Sequence, residues 1–252
     1  MSIGEFLAIA LAGVAAGTIN TVVGSGTLIT FPVLLAFGYA PVTANVSNTI
    51  GLVPGSVSGA IGYRRELAGQ GGRALRLGSM SFLGGITGAV LLLVLPASAF
   101  TAIVPVFIAL ALILAILQPR LNRALAAREA AGRARNRRLL LAPAIYLTGV
   151  YGGYFGAAQG ILLLGILGAA LDQDLHRTNA LKNVLAGLVN GVAGVYFMFA
   201  AHVDWAPAAI IAGASIVGGQ LGSRYGRRLP PRVLRALIVV IGTTAIVRLL
   251  AG

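Results

Sequence analysis

Long apolar runs, separated by short polar turns, cover almost the whole chain. A run of about 20 apolar residues can cross a bilayer as a helix, whereas a run of about 10–14 is too short to cross comfortably. The pattern predicts ten helical segments, of which the second and the seventh are short: 3–23, 28–37, 44–62, 77–95, 100–117, 139–155, 161–171, 178–200, 206–222 and 233–251.

The stretch 17–32 does not fit a plain membrane helix. It is rich in Gly, Ser, Thr and Asn, carries no charge, and lies between the first two segments. We interpret it as a helix that breaks inside the bilayer. Backbone groups freed by such a break must be satisfied by protein or by a water-filled cavity, so a break usually lines a site. A second break is expected at Gln159–Gly160, before the seventh segment.

The two halves of the chain match at a nearly constant offset. A shift of 134 residues aligns, over about 70 positions without a gap, Gly26 with Gly160, Asn45 with Asn179, Ser81 with Ser215, Gly84 with Gly218, Gly85 with Gly219, Gly88 with Gly222 and Pro96 with Pro230. Upstream the shift becomes 136, which pairs Gly13 with Gly149 and Gly17 with Gly153. Chance matching among many glycines is the alternative, but an offset that also joins Asn and Pro favours duplication.

The duplication divides the chain into three parts. We expect a first transmembrane repeat at 1–117, an Arg-rich cytoplasmic linker at 118–138 and a second transmembrane repeat at 139–252. Outside the linker, nothing in the sequence suggests a soluble domain.

Composition assigns the chain to the membrane. Hydrophobic residues make up 58% and charged residues 10%, against about 45–50% and 25% in soluble domains. Cys is absent, which excludes disulfides, thiol nucleophiles and Cys metal sites. A net charge of +13 would suggest a nucleic-acid partner in a soluble protein, but 16 of the 19 Lys and Arg residues lie in three loops, 63–76, 118–138 and 224–235. The expected surroundings are therefore a lipid bilayer, with no nucleic acid bound.

The basic loops also predict an orientation. Short loops rich in Lys and Arg stay in the cytoplasm. The basic loop 63–76 corresponds in the second repeat to 198–210, which has no Arg, and the basic loop 224–235 corresponds to 90–101, which has no charge. Equivalent loops thus lie on opposite faces. The predicted fold is an all-α polytopic membrane protein with two inverted repeats of about five segments each, short half-helices near the midplane, and both termini outside. The parity is the same if each short segment re-enters with its predecessor.

Polar residues follow helical spacing along one face of the third segment and of its partner. They are Asn45, Asn48, Thr49, Ser56 and Gly59 in the first repeat and Asn179, Lys182, Asn183, Asn190 and Gly194 in the second. One interpretation is a polar cavity. The other is a packing seam, since small and amide residues hold membrane helices together.

Lys182 is the one basic residue that the segmentation places inside an apolar helix, about one turn from Thr178. An ionisable side chain in the membrane is a functional-site hypothesis, and its alternative is snorkelling to the cytoplasmic interface. If Lys182 points inward, we expect an anionic substrate. The half-helices that follow the breaks also favour an anion, because their N-termini aim positive dipole ends and free N–H groups into the cavity.

Several other chemistries are not supported. The run Gly24–Thr27 lacks the Lys and the Gly spacing of a phosphate loop, and His176 and His202 fall at opposite faces, which argues against a metal site. Asp172 and Asp174 are interpreted as a solvated loop or a helix cap. A buried carboxylate relay for protons is not indicated, because the acidic residues all sit at segment ends or in loops: Glu5, Glu66, Glu129, Asp172, Asp174 and Asp204.

Four stretches resemble a known family. Residues 16–32 (AGTINTVVGSGTLITFP), 44–49 (ANVSNT), 54–59 (PGSVSG) and 179–187 (NALKNVLAG) are similar to motifs of the sulfite exporter TauE/SafE family of membrane permeases. The resemblance covers nearly the whole chain except the linker. It implies export or uptake of small anions, often sulfur oxyanions or organosulfonates, across a bacterial cytoplasmic membrane. Members commonly carry a Gly-rich run at the first break; here Thr27 follows Gly-Ser-Gly, and the second copy keeps only Gly160.

The resulting hypothesis is a secondary transporter for a small anion, with no catalytic residues, no metal and no cofactor. The candidate substrate-binding residues are Asn20, Thr21, Ser25, Asn45, Asn48, Gln159, Asn179, Lys182 and Asn183. A passive anion channel shares all these features and stays open as an alternative. A membrane-embedded enzyme would need a nucleophile with a base, or a metal cluster, and the sequence indicates neither. The sequence is also compatible with a homo-oligomer.

Overall fold

The computed structural model describes residues 1–130, 138–171, 173–226, 239–240 and 243–244. In these ranges the chain is helical and contains no strand. The helices are α1 (Ile3–Val22), α2 (Thr27–Ala36), α3 (Pro41–Gly62), α4 (Gly71–Val94), α5 (Ala97–Ala130), α6 (Arg138–Tyr154), α7 (Gln159–Ala170), α8 (Leu175–Ala200) and α9 (Trp205–Tyr225).

The all-helical membrane fold expected from the hydropathy pattern is confirmed. Among the described residues, five helices are long and apolar enough to cross a bilayer, namely α1, α4, α5 over Ala97–Leu121, α8 and α9, while α2 and α7 are short apolar helices. The tenth predicted segment, 233–251, and Asp172 lie outside the described residues. Asp174 is a helix cap: its Oδ1 accepts hydrogen bonds from the backbone N–H groups of His176 and Arg177, at 2.9 Å each.

The predicted linker is helical where it is described. Helix α5 does not stop at residue 117 but continues to Ala130. The segment is rich in Ala, Leu and Arg, which favour helix, so the polar part extends the membrane helix along the same axis.

Closely packed glycines hold the long helices together in two groups. In one group, Gly17 of α1 and Gly55 of α3 both pack on Ser215 of α9, so closely that a Cβ on either glycine would overlap it. In the other group, Gly153 of α6 packs in the same way on the backbone of Gly85 in α4. Small residues allow this approach in membrane helices, where packing rather than hydrophobicity drives association.

Each of the first two helices of a half therefore packs on a helix of the other half, α1 on α9 and α6 on α4. Successive contacts advance together along both chains of each pair, so that α1, α3 and α9 run in one direction and α4 and α6 run parallel to each other. The predicted offset of 134 between α4 and α9 differs from the packing: Gly17 meets Ser215 and Gly153 meets Gly85, which relates α4 to α9 by 130, one helical turn less.

Helices α1 and α2 form a hairpin that returns to the face where it began. Tyr39, just after α2, donates its hydroxyl to Oε1 of Glu5 in the first turn of α1, at 2.7 Å. Helices α6 and α7 form a second hairpin, because Leu141 near the start of α6 shares an apolar cluster with Leu167 and Leu171 at the end of α7. The short segments thus pair with their predecessors.

The two hairpins open at opposite ends of α3. The first opens beside Pro41, where α3 begins. The loop after α3 reaches the start of α8: Gln70 donates to the carbonyl of Arg177 at 3.2 Å, and Arg177 donates to the carbonyl of Ala68 at 3.0 Å. Since α8 follows α7 directly, the second hairpin opens at this other end. Duplication and inversion remain predictions, and this arrangement is compatible with both.

Candidate substrate site

The tips of the two hairpins touch. At the first tip α1 ends at Val22, Gly24 has φ +87°, and α2 begins at Thr27. At the contact, the N–H of Gly160 donates to the carbonyl of Gly24 at 3.0 Å. A Cβ on either glycine would overlap the Cα of the other. The two breaks therefore meet back to back, and only glycine allows the approach.

The second break lies earlier than the sequence predicted. Helix α6 ends at Tyr154, and α7 already begins at Gln159. The positive φ angles belong to Gly156 (+77°) and Ala158 (+59°). Gly160 is not the hinge; it provides the close contact with the first tip. Its N–H is also occupied by the Gly24 carbonyl, so this N–H at the start of α7 does not face a cavity as expected.

Three side chains of α8 converge on the carbonyl end of α1. The carbonyl oxygen of Thr21 accepts hydrogen bonds from Asn179 Nδ2, Lys182 Nζ and Asn183 Nδ2, each at 3.2 Å. Lys182 Nζ also donates to the carbonyl of Asn20 at 3.0 Å. The last carbonyls of a helix carry its partial negative charge, so an ammonium group is stabilised there.

Lys182 points inward. Its side chain is fully buried, with 0% exposed, and its ammonium bonds two carbonyls at the tip of the first hairpin. The snorkelling alternative is therefore wrong, because a snorkelling lysine keeps its charged end in water.

The carbonyl end of α6 receives a matching contact from α3. Asn45 donates Nδ2 to the carbonyl of Tyr154 at 2.9 Å. One turn further along α3, Asn48 is engaged by α2: its Oδ1 accepts from the hydroxyl of Thr30, and its Nδ2 donates to Thr27 Oγ1 at 3.4 Å. Asn48 is thus saturated by the first hairpin and leaves the end of α6 without an ammonium group.

Buried polar atoms without a partner come in related pairs. Among the described residues these atoms are Ser25 Oγ, Gln159 Nε2, Asn45 Oδ1, Asn179 Oδ1 and Ser81 Oγ. Ser25 and Gln159 are 134 residues apart and lie at the two breaks, and Asn45 and Asn179 are also 134 apart. Leaving a buried polar atom unpaired costs about 1–3 kcal/mol. Two pairs of such atoms beside one contact are typical of a site that is completed by a ligand.

The structure brings the predicted residues to the region around the two tips. Around the end of α1 lie Asn20, Thr21, Asn179, Lys182 and Asn183; around the end of α6 and α2 lie Asn45 and Asn48; at the breaks lie Ser25 and Gln159. Their role in substrate binding stays a prediction. Thr21 differs from expectation in chemistry, because its hydroxyl donates to the carbonyl of Gly17 in its own helix at 2.9 Å and only its carbonyl faces the cluster.

Sequence reasoning missed the residues that hold these groups in place. Thr27 and Thr30 fix Asn48, and the hydroxyl of Tyr151 donates to the carbonyl of Ala157 in the second break at 2.6 Å. Thr27 and Thr30 were visible as a polar spacing on the short α2, which could have indicated that this helix turns a polar side towards α3. The Ser and Gly members of the polar stripes act as packing contacts: Ser56 accepts from Asn20 at 3.4 Å and from Asn190 at 3.5 Å, and Gly59 packs on Thr21.

Paired broken helices that meet inside an apolar helical bundle define a multi-pass membrane transporter. The chain belongs to the sulfite exporter TauE/SafE family, whose model matches residues 9–249.

Relatives agree with this class. The chain is 30% identical over 244 residues to "Probable membrane transporter protein ORF9" of a Sinorhizobium species, covering 94% of this chain and 88% of that protein. It is 25% identical over 240 residues to "Probable membrane transporter protein YfcA" of Escherichia coli K12, covering 93% and 86%. A Haemophilus influenzae membrane transporter protein is 24% identical over 242 residues, covering 91% and 88%. No solved structure gives a significant match.

The family is one of transporters and not of enzymes, which confirms the non-enzymatic class expected from the sequence. Within the described part of the chain, no group of three or more His, Cys, Asp or Glu side chains could hold a metal ion. His176 and His202 lie near opposite ends of α8, a helix of 26 residues.

Proposed function

We propose that this protein is a secondary transporter that moves a small anion, namely sulfite, an organosulfonate or a related oxyanion, across the bacterial cytoplasmic membrane. The observation that carries the proposal is the buried ammonium group of Lys182 at the tip of the first hairpin.

The charge of Lys182 supports an anionic substrate. Its hydrogen bonds go to two neutral carbonyls, those of Asn20 and Thr21. A buried charge without an opposite charge is costly, and an anion bound beside it would offset that cost. Two hydrogen-bonded carbonyls also leave one N–H of the ammonium for a substrate oxygen.

The breaks supply further donors for such an anion. Gln159 Nε2 is a buried donor without a partner, and Ser25 Oγ is a buried hydroxyl without one. The first N–H groups of α2 have no acceptor inside their own helix, and the positive end of its dipole lies at this tip. Several neutral donors and one cation suit the clustered oxygens of sulfite or a sulfonate.

Alternating access is supported by the arrangement of the halves. The two hairpins open at opposite ends of α3, and their tips meet at Gly24 and Gly160. Sites of this kind lie where inverted repeats meet near the bilayer midplane. The basic loops 63–76, 118–138 and 224–235 favour a cytoplasmic location for their face.

Anion flux into proteoliposomes tests the proposal. We expect Lys182→Ala to abolish uptake of labelled sulfite or sulfoacetate while the protein stays folded in detergent, because the site loses its one cation. The matched control is Arg224→Ala near the end of α9, which removes an exposed basic residue and should leave flux unchanged. Unchanged flux in Lys182→Ala would remove this lysine from the site.

Counterflow separates a carrier from a channel. A carrier loaded inside with unlabelled anion accelerates uptake of labelled anion, whereas a passive channel shows no such trans-stimulation. A thermal-shift screen against sulfite, sulfate, thiosulfate, sulfoacetate and simple carboxylates would identify the substrate class, since a ligand that binds only the folded state raises the melting temperature.

A further inference from the structure

The two broken helices end in similar surroundings but with one difference in charge. At the end of α1, the backbone carbonyls of Asn20 and Thr21 bind the ammonium of Lys182. At the end of α6, the carbonyl of Tyr154 receives only a neutral amide, that of Asn45. The residue that stands 134 positions before Lys182 is Asn48, and its amide is engaged by Thr27 and Thr30.

The amide of Asn45 leaves an acceptor pointing into this region. Its Nδ2 donates to Tyr154, which fixes the orientation of the amide, and its Oδ1 is buried without a partner. The side chain is only 1% exposed. A buried oxygen that accepts nothing, next to the negative end of a helix dipole, is favourable for a positive charge.

The surroundings of the α6 end are apolar and aromatic. The rings of Phe100 and Phe107 lie 5.6 Å and 6.1 Å from that of Tyr154, and Phe155 packs against both. The hydrogen bonds of Asn45 and Asn48 involve no charged side chain. The donors at this end are therefore neutral oxygens. Divalent cations are usually held by carboxylates, so the chemistry suits a monovalent ion.

We propose that a sodium ion binds at the carbonyl end of α6, where Asn45 Oδ1 and carbonyls of the last turn of α6 coordinate it. It takes there the part that the ammonium of Lys182 takes at the end of α1. Carbonyl ends of broken helices bind coupling sodium ions in other transporters. As the coupling ion of anion transport, the sodium ion rests on the proposed function, but its binding does not.

Sodium binding is measured on the purified full chain in detergent, with no candidate anion substrate present. NaCl is compared with N-methyl-D-glucamine chloride at equal concentration and pH. We expect sodium to raise the melting temperature with a saturable dependence on concentration, because it binds only the folded state. Equal melting temperatures in the two salts would overturn the site.

Two variants and one control locate the ion. Asn45→Ala should lose the sodium-dependent rise, and Asn45→Asp, which keeps an oxygen and adds a negative charge, should reach half of its rise at a lower sodium concentration. Ser81→Ala removes another buried oxygen without a partner, on α4, and should keep the full rise. A sodium-dependent rise that persists in Asn45→Ala, or that Asn45→Asp leaves at the wild-type midpoint, would contradict the assignment.

Flux measurements then separate this site from the proposed function. If sodium binds but no anion moves, the transport proposal fails and the ion site stands. If anions move at the same rate with and without sodium, and sodium leaves the melting temperature unchanged, the ion site fails and transport stands.

Discussion

Asn45 and Asn179 make the same hydrogen bond in opposite halves of the molecule. Each donates Nδ2 to a carbonyl at the end of the broken helix of the other half, at 2.9 Å to Tyr154 and at 3.2 Å to Thr21. Each half thus holds the hairpin of the other. A movement between α3 and α8 must displace both tips at once, which links the conformations of the two sides of the site.

The contact between the tips makes alanine intolerable there. We expect Gly24→Ala and Gly160→Ala to lose anion flux and to unfold at lower temperature. A Cβ at either position overlaps the other backbone, and at Gly24 the positive φ adds about 1–2 kcal/mol for a residue with a side chain. Gly213→Ala on α9 is the control, because nothing lies within 4 Å of its Cβ position. There alanine should stabilise the helix by up to about 1 kcal/mol. Wild-type flux in Gly160→Ala would refute the contact.

The carbonyl of Thr21 predicts non-additive mutations. It accepts three donors, so Asn183→Ala alone leaves two and should cost only about 0.6 kcal/mol. The double variant with Asn179→Ala should lose more than the sum of the single variants, because the two side chains share one acceptor. Chemical unfolding of the four proteins gives the coupling energy. Strictly additive losses would show that the carbonyl is not shared.

The absence of Cys allows the orientation to be tested on an unmodified background. Arg65→Cys lies in the exposed loop after α3, and His202→Cys lies in the exposed loop after α8. We expect a membrane-impermeant maleimide added to intact cells to label only His202→Cys, because the Arg-rich loop stays inside. Arg65→Cys should react after lysis. Labelling of Arg65→Cys in intact cells would reverse the orientation.

Tyr39 makes stability sensitive to alkaline pH. Burial, and then the hydrogen bond to Glu5 and the charges of Glu5 and Asp204, raise the pKa of Tyr39 from 10.0 to about 12. The folded state therefore holds the hydroxyl proton more tightly than the unfolded state, and this contribution is complete below pH 10 and is lost as the pH rises towards 12. Thermal unfolding from pH 9 to 12 should show a steeper decline in the wild type than in Tyr39→Phe. Parallel declines would contradict the shifted pKa.

Hydropathy was sufficient for most of the helices, for a physical reason. The cost of placing unpaired backbone and charged groups in lipid sets where apolar helices end, so predicted ends such as 62 and 200 match α3 and α8. It failed for α5, because its polar continuation to Ala130 is held by helix propensity rather than by apolarity.

The breaks and the site were only partly readable. Gly24 takes the positive φ that its sequence suggested, whereas Gly160 serves a contact with a residue 136 positions away, which a local pattern cannot show. The direction of Lys182 depends on the carbonyl end of α1 lying opposite, again a tertiary fact. The hydroxyl of Thr21 bonds its own helix, as Thr often does, so residue type alone assigned it the wrong chemistry.

The pairing of α1 with α9 also constrains biogenesis. Helix α1 ends at Val22, but its glycine-lined partner begins at Trp205. At a synthesis rate of about 5–20 residues per second, the first hairpin waits roughly 10–40 s in the membrane before the helix that fits it emerges from the ribosome. During that interval its small residues face lipid or the insertion machinery, so neither half can complete its own folding before the other has been made.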